Sequence, residues 1–326
     1  MAHTISIIIT CYNRELFIAD AIDSALAQGY ENKEVIVVDD GSDDRSWAVI
    51  SAYGNRVIAI KQDNIGVSAA RNNGVSVASG DYIVFLDSDD RLEPGALGLY
   101  ADASSSSMTT ILIGKCRHID KHGTLVRSDM YRLPRHLAFS PLRDLQIIGA
   151  WASNCACLIP KKLLSGIGGY DTRLSLGEDY DVNLRLLDVG AVFLPIEKVT
   201  YQVRIHDGPK LTRNVSRERY DGVCRLFRRA WLSRKAVFVL PENREVRVQF
   251  ARWVWSTGRT CYRAGFRETG DNFIGLAVEI AGPQARNGSA VVRAAYSFVA
   301  PHLVEGLVEL VKLPTTYLSR LKDVLR

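Results

Sequence analysis

Four short apolar runs within about the first ninety residues most constrain how this chain can fold. They lie at residues 5–10, 35–38, 57–60 and 82–86, and helix-length amphipathic segments separate them. Continuous apolar runs of this length are typical of strands that are buried on both faces of a parallel sheet. The repeated order of strand, helix and strand therefore predicts a doubly wound α/β fold for this part of the chain.

The pattern changes twice further along the chain. After Pro94 it loosens, and the Lys121–Gly123 segment is typical of a hairpin turn, which favours a mixed sheet. From about Asn214 onward the periodicity becomes that of long helices, with Trp and Phe residues that we interpret as core. We therefore expect an α/β domain at residues 1–213, with halves at about 1–93 and 94–213, followed by a helical C-terminal region at 214–326.

Composition argues against a disordered or membrane-spanning chain. The 326 residues are 47% hydrophobic and 24% charged, which supplies enough apolar side chains for a core. The charge-poor stretch from Ala294 to Glu305 is shorter than the ~20 residues of a membrane span. The first residues lack a basic region and a cleavage site, so we expect a cytoplasmic protein. The six cysteines are scattered through apolar segments and are predicted to be free buried thiols.

The net charge of +5 is unevenly distributed. Residues 1–203 contain 19 Lys and Arg against 25 Asp and Glu, whereas residues 204–270 contain 16 against 6. Because fields act over about 8 Å at physiological salt, the basic segment indicates possible partners better than the total does. Anionic lipid, a phosphorylated substrate and nucleic acid would all fit. No nucleic-acid-binding motif accompanies the segment, so nucleic acid is not expected.

Carboxylates follow two of the predicted strands. Asp39 and Asp40 end the second apolar run, and Asp87, Asp89 and Asp90 end the fourth. Ligands of open α/β sheets bind at the carboxyl ends of strands, where oxygen-rich clusters suit Mg²⁺ or Mn²⁺. In an extended segment the side chains of Asp87 and Asp89 would lie on the same side. A solvated turn is the alternative for either cluster taken alone.

Five segments in order resemble the inverting glycosyltransferases of family 2, which have a GT-A fold. That fold is a mostly parallel, Rossmann-like sheet flanked by helices, and the resemblance covers most of residues 4–190. The matching segments are SIIITCYNRELFIADAIDSALAQGY, EVIVVDDGSDD, DNIGVSAARNNGV, YIVFLDSDD and GGYDTRLSLGEDYDVNLRL.

The resemblance implies a nucleotide-sugar donor, most often a UDP-sugar, bound in the half at about 1–93. Asp40 would accept hydrogen bonds from the nucleobase, with Asp39 as the second candidate, and Arg71 would face the diphosphate. A surface charge is the alternative for Arg71. The implied donor-binding set is Thr10, Tyr12, Arg14, Asp39, Asp40, Asn64, Arg71, Asp87 and Ser88.

The resemblance also implies a divalent cation, Mn²⁺ or Mg²⁺, held by Asp89. His206 follows a strand-like run and is a candidate second ligand, since a neutral imidazole can complete a metal shell. A core or surface histidine is the alternative. Lys210 and Arg213 are candidates for a cationic lid over the diphosphate.

Asp179 is the candidate general base, with Glu178 beside it to orient the acceptor or the loop. Both precede a helix predicted at residues 180–189, whose N-terminus would favour the ionised carboxylate. The alternative for this pair is simple N-capping, and Asp181 is the second candidate for the base. The half at about 94–213 would hold the acceptor, and Trp151 and Asn154 are candidates to face it, with core positions as the alternative.

The resemblance thus predicts metal-assisted inverting transfer of a sugar to a hydroxyl of a saccharide or lipid-linked acceptor. The basic C-terminal helices could rest on anionic lipid at the inner face of a membrane. A sugar-1-phosphate nucleotidyltransferase would need a Gly-rich loop after the first strand, where this chain has Thr10 to Arg14. The other alternative is a non-catalytic nucleotide-binding protein that uses its basic helices to hold lipid or nucleic acid.

Overall fold

A computed structural model describes residues 3–104, 108–127, 154–208 and 216–286. The chain divides into two compact units, Met1–Lys210 and Leu211–Arg326. The sequence analysis placed this division after residue 213. The first unit is an α/β domain, and the described part of the second is helical.

The first half of the α/β unit is built from the four predicted apolar runs. Their side chains are almost entirely buried, except in the outermost strand β3. Strand β1 lies between β2 and β4, with β3 outside β2, and all of these pairs are parallel. This confirms the predicted doubly wound arrangement. The elements are β1 (Ile5–Cys11), α1 (Ile18–Leu26), β2 (Lys33–Asp40), α2 (Ser46–Ser51), β3 (Ile58–Gln62), α3 (Val67–Val77) and β4 (Tyr82–Asp87).

The second half completes a mixed sheet. Its elements are β5 (Arg91–Leu92), α4 (Ala96–Ala103), β6 (Thr110–Ile119), β7 (Leu125–Arg127), β8 (Cys157–Pro160), α5 (Lys161–Gly166), α6 (Glu178–Asp188) and β9 (Val192–Arg204). The strand order is β3-β2-β1-β4-β8-β6-β9-β5, and β7 pairs with β6. Strand β8 is antiparallel to β4 and β6, whereas β6 and β9 are parallel. The predicted turn at residues 121–123 connects β6 to β7.

The strand register explains where polar side chains collect. Thr10 lies opposite Asp87 across β1 and β4, and Cys11 lies opposite Asp39 across β1 and β2. Because β1, β2 and β4 are parallel neighbours, their carboxyl ends lie at the same edge of the sheet. The residues that follow these three strands therefore share that edge. The functional candidates of the first half therefore share that edge.

The helical unit contains α7 (Arg217–Phe238), α8 (Arg244–Arg263) and α9 (Arg267–Ala281). Aromatic side chains form its core: Phe227 packs on Trp253 with ring centroids 4.4 Å apart, and Phe238 stacks on Phe250 at 5.4 Å. This confirms the prediction that these aromatic residues are core. Within the described ranges, no helix combines the length and apolar content that membrane crossing requires. The six cysteines are buried free thiols, as predicted.

Candidate active site

Asp40 ends β2, and its carboxylate is occupied by the loop that follows β3. Its Oδ1 accepts hydrogen bonds from Gln62 Nε2 at 2.8 Å and from the Ile65 backbone N–H at 3.0 Å. Its Oδ2 accepts from the Gly66 N–H at 2.9 Å. With both oxygens engaged by the protein itself, Asp40 is placed to hold this loop rather than to receive a nucleobase.

The preceding residue, Asp39, has a different environment. Its side chain is fully buried, and its Oδ2 accepts a hydrogen bond from the Ser42 N–H at 3.3 Å. No donor among the described residues reaches its Oδ1. A buried carboxylate oxygen without a donor is costly, so such an atom usually serves a ligand or a water molecule. The local geometry therefore favours Asp39 over Asp40 as the acceptor for a bound nucleobase.

The four residues after Leu86 form a turn rather than a continued strand. The Asp90 N–H donates to the Asp87 carbonyl at 3.0 Å, so the strand ends at Asp87. Asp87 and Asp89 consequently face different partners, contrary to the same-side arrangement expected for an extended segment. Asp90 is buried, and burial together with the charges of Asp87 and Asp89 raises its pKa well above the usual value.

Asp89 is paired with two side chains from distant parts of the chain. Its Oδ2 lies 2.9 Å from His206 Nε2 and 3.3 Å from Arg14 Nε. The other ring nitrogen of His206, Nδ1, accepts a hydrogen bond from the Gly208 N–H at 3.1 Å. In a neutral imidazole this places the proton on Nε2, which then donates to Asp89. His206 and Asp89 are thus together, as the metal hypothesis requires.

Arg71 joins the end of β4 to the start of α6. Its guanidinium lies 3.1 Å from Glu178 Oε1, 3.1 Å from Asp179 Oδ1 and 3.4 Å from Asp87 Oδ1. The side chain is only 5% exposed and also lies over the Tyr170 ring. Three carboxylates thus surround the cation, and the contact of Arg71 with a diphosphate stays a prediction. The burial of Arg71 excludes the alternative that this residue is a surface charge.

Asp179 is the second residue of α6, which begins earlier than predicted, at Glu178. Burial raises the pKa of Asp179 to about 7, with Arg71 opposing the rise and Glu178 and Asp87 adding to it. The Asn154 N–H donates to its Oδ2 at 3.3 Å. The helix N-terminus was expected to favour the ionised form, and burial outweighs that effect. A carboxyl group with a pKa about 7 can accept a proton near neutral pH.

Asp181, the second candidate for the base, lies on the same helix and is buried. Its Oδ2 accepts from Arg185 Nε at 2.7 Å, one helical turn away. Arg185 also donates to the Ile167 carbonyl at 2.7 Å, which fixes the pair in place. Asp181 is therefore tied into a structural ion pair.

The remaining donor-site candidates line the same edge of the sheet. Thr10 lies near the end of β1, Tyr12 is 45% exposed just beyond it, and Ser88 is buried in the turn after β4. Asn64 is exposed in the loop after β3. This loop approaches β2 closely because Gly41 has φ +74° and no side chain, and a Cβ there would lie 2.6 Å from the Asn64 nitrogen. Lys210, Arg213 and the acceptor candidate Trp151 lie outside the described residues.

Two buried residues of β9 were missed by sequence reasoning. The Tyr201 hydroxyl accepts a hydrogen bond from the Asp87 N–H at 3.0 Å. Arg204 donates to the Asp89 carbonyl at 2.8 Å. The sequence offered one signal for Arg204, which precedes the candidate ligand His206 by two residues.

The strand order, with its carboxylates gathered at one edge of the sheet, is that of the GT-A fold. A structure of residues 1–349 of TarS from S. aureus, determined with UDP-GlcNAc, matches with a TM-score of 0.60. The two chains are 18% identical, and the match covers 84% of this chain and 90% of the other. This likeness shows the fold.

Sequence comparison specifies the family. Residues 6–167 match the model of glycosyl transferase family 2, so this segment of the chain is a family 2 glycosyltransferase domain. The glycosyltransferase RT0329 of Rickettsia typhi is 33% identical over 210 residues, which cover 62% of this chain and 64% of that protein. The chondroitin synthase of Escherichia coli is 32% identical over 206 residues, covering 62% of this chain and 29% of the synthase.

Proposed function

We propose that this protein transfers one sugar, with inversion, from a UDP-sugar to a hydroxyl of a saccharide or lipid-linked acceptor. The observation that carries the proposal is the position of Asp179, whose side chain is only 15% exposed and whose pKa is raised to about 7. Arg71 bridges it to Asp87 on the nucleotide side of the site. A proton acceptor thus lies next to the edge of the sheet where family 2 domains are expected to bind their donor.

The reaction is a direct displacement at the anomeric carbon. The acceptor oxygen attacks from the face opposite the leaving group, and its bond to the anomeric carbon forms as the bond to the diphosphate oxygen breaks. The electron pair of the broken bond leaves with the nucleoside diphosphate, and the acceptor proton passes to Asp179. A base with a pKa close to the working pH combines a useful ionised fraction with a useful affinity for the proton.

We assign Arg71 a role in positioning Asp179 instead of the predicted role at the diphosphate. Its guanidinium donates to Asp179 and Glu178 from the same nitrogen, so it fixes both carboxylates at the start of α6. A permanent charge beside Asp179 also opposes the effect of burial and keeps the pKa of this carboxyl from rising further. Glu178 is a second partner that orients the guanidinium.

We assign the nucleobase contact to Asp39, the second candidate of the sequence analysis. Its buried Oδ1 lacks a donor among the described residues, whereas both oxygens of Asp40 are engaged. Tyr12 offers an exposed ring at the same edge, on which a base can stack. A TarS structure was determined with UDP-GlcNAc, and a chondroitin synthase is among the relatives, which supports a UDP-sugar donor and a glycan acceptor.

We further propose that Asp89 and His206 hold Mn²⁺ or Mg²⁺ together with the phosphates of the donor. No group of three or more His, Cys, Asp or Glu side chains among the described residues is placed to hold a metal by itself. Asp89 offers the carboxylate that a Mg²⁺-type site combines with substrate phosphates, and the imidazole of His206 would add a nitrogen ligand. Such an ion stabilises the negative charge of the leaving diphosphate. For His206 to ligate through Nε2, the Gly208 N–H must leave Nδ1 so that the proton can move there.

The helical unit offers a surface for anionic lipid. On α7, Leu232 is 56% exposed, and just beyond the end of this helix Val239 and Leu240 are 49% and 40% exposed. Arg229 and Lys235 are exposed, and each lies three residues from Leu232, which puts them on the same side of the helix. We call Arg225, Arg229, Leu232, Lys235 and Val239 the α7 stripe. Exposed apolar and basic side chains on one helix face are typical of interfacial membrane contact, which supports our proposal that the helical unit contacts the anionic cytoplasmic surface of a membrane.

Donor turnover tests the proposed function. The purified protein is incubated with a panel of nucleotide-sugars, with and without Mn²⁺ or Mg²⁺, and the released nucleoside diphosphate is measured. We expect metal-dependent release from a UDP-sugar. Asp179→Asn is the matched variant. It should bind UDP as the wild type does, while its rate of UDP release from the donor falls by about 10²-fold to 10⁴-fold. Nucleotide binding by the wild type without release under any donor and acceptor condition would favour a non-catalytic nucleotide-binding protein.

A further inference from the structure

Arg204 is a buried arginine whose position ties together several parts of the candidate active site. It is the last residue of β9, and its side chain has no exposed surface. An arginine is rarely buried completely unless its N–H groups are paired, because desolvating the charge is costly. Its partners therefore indicate what the buried charge is for.

Those partners lie on three separate segments. Nε donates to the Asp89 carbonyl at 2.8 Å, Nη1 donates to the Lys121 carbonyl at 3.0 Å, and Nη2 donates to Asp20 Oδ2 at 2.9 Å. The backbone N–H of Arg204 also donates to Asp90 Oδ1 at 2.7 Å. One side chain thus holds the turn after β4, the turn between β6 and β7, and helix α1.

Phe17 connects this cluster to His206. The guanidinium carbon of Arg204 lies 5.2 Å from the centre of the Phe17 ring, and the same ring lies 4.8 Å from the His206 ring. His206 follows Arg204 by two residues, just beyond the end of β9, and the Phe17 ring contacts both side chains. The Arg204 guanidinium therefore contacts the backbone of Asp89 directly and the ring of His206 through Phe17.

We propose that Arg204 is a positioning residue that sets the placement of Asp89 against His206 and thereby the affinity of the site for a divalent cation. The proposal rests on the proposed function, because it assumes that these two side chains hold the metal. Groups that orient metal ligands without touching the metal commonly change metal affinity by 10-fold to 100-fold when they are replaced. Lysine cannot substitute, because its single ammonium lacks the planar fork that reaches three segments at once.

Binding of Mn²⁺ tests the proposal without measuring turnover. Free Mn²⁺ is quantified by electron paramagnetic resonance while the ion is titrated into protein saturated with UDP. We expect Arg204→Lys to weaken Mn²⁺ binding by about 10-fold to 100-fold, while UDP binding in the absence of metal stays within about 3-fold. Because Asp20 is the carboxylate that pairs with Arg204, Asp20→Asn should weaken Mn²⁺ binding in the same direction and by a smaller factor.

Arg185→Lys is the matched control, because Arg185 also pairs with one carboxylate and one backbone carbonyl but lies on α6. It should leave Mn²⁺ affinity unchanged even where it lowers the melting temperature. If Arg204→Lys does not fold, the Mn²⁺ affinity of Asp20→Asn decides the question, since Asp20 is a half-exposed carboxylate. Equal Mn²⁺ affinity in the wild type, in Asp20→Asn and in any folded Arg204→Lys would overturn the proposal. A wild type that binds UDP but no Mn²⁺ would instead contradict the proposed metal site, and the positioning role with it.

Discussion

The two compact units place their charged side chains in opposite ways. Among the described residues, every buried charged side chain belongs to the α/β unit, and the buried His206 belongs to it as well. The charged ones are Asp39, Asp40, Arg71, Asp90, Asp181 and Arg204. In the described part of the helical unit, the buried polar side chains are only Asn243 and Thr269. Its many arginines lie at intermediate or exposed positions instead.

The difference separates residues that act at a site from residues that act at a surface. A buried charge lowers stability unless it is paired, so a chain that keeps several of them at one edge of a sheet has a use for them there. In the helical unit the buried residues are mainly apolar and aromatic, which stabilise the fold, while the charges remain available to solvent or to a partner. Loss of a charge should therefore have large effects in the α/β unit and small ones in the helical unit.

The largest effect is expected from Asp179→Asn. Removing a general base reduces kcat by about 10²-fold to 10⁴-fold, and asparagine keeps nearly the same shape. Released UDP measured under saturating donor and acceptor gives kcat, and calorimetric titration with UDP should show unchanged binding. Asp181→Asn is the control on the same helix, since Asp181 is paired with Arg185. Comparable loss of kcat in both variants would remove Asp179 from the role of base.

The adjacent aspartates of β2 provide the next test. Asp39→Asn should weaken UDP binding by about 10-fold or more, since a hydrogen bond to a charged group contributes about 1.5–3 kcal/mol. Asp40→Asn should lower the melting temperature more than it lowers UDP affinity, because the loop at residues 62–66 loses its charged acceptor. The opposite pattern in calorimetric titration and thermal unfolding would restore Asp40 as the nucleobase contact.

A smaller effect is expected from pH. Because the pKa of Asp179 is raised to about 7, the carboxylate is mostly protonated below that pH and cannot accept the acceptor proton. The kcat/KM for donor should rise about tenfold per pH unit below pH 7 and level off above it. A profile that is flat between pH 5.5 and 8 would contradict the assignment.

The same pKa also predicts how stability changes with pH. A carboxyl whose folded-state pKa exceeds its unfolded-state value binds its proton more tightly when folded, so its contribution is fully present below the unfolded pKa. That contribution is lost as pH rises through about 7. Between pH 5.5 and 8.5 the melting temperature of the wild type should therefore fall more than that of Asp179→Asn. Parallel curves for the two proteins would show that Asp179 does not titrate in this range.

The fold followed from local sequence, whereas the pairing of charges did not. The apolar runs of β1, β2 and β4 specify strands that are buried on both faces, and such strands can only form a central sheet covered by helices. Arg71, by contrast, pairs with Glu178 and Asp179 more than 100 residues away. No local pattern indicates such a partner, and the sequence therefore did not predict these two ion pairs.

The choice between Asp39 and Asp40 illustrates the same limit. Neighbouring residues of a strand point to opposite faces, so the sequence shows that the two carboxylates differ but not which one meets a ligand. The answer depends on the loop after β3, whose backbone N–H groups reach Asp40. For Asp179 the helix start was visible in the sequence, but the burial that dominates its pKa arises from tertiary packing.

The smallest effect is expected on the α7 stripe. Lys235→Gln should weaken binding to vesicles of phosphatidylglycerol and phosphatidylcholine by about fivefold, because one basic residue near an anionic surface contributes about 1 kcal/mol. Turnover with a soluble acceptor should not change, since Lys235 belongs to the helical unit. Lys198→Gln, at an exposed lysine of the α/β unit, is the matched control for net charge. Co-sedimentation at two salt concentrations measures both variants, and screening should reduce the difference as salt rises. If both substitutions weaken vesicle binding equally, net charge rather than the α7 stripe drives any lipid binding. The helical unit would then have no specific lipid-binding surface to set against the site in the α/β unit.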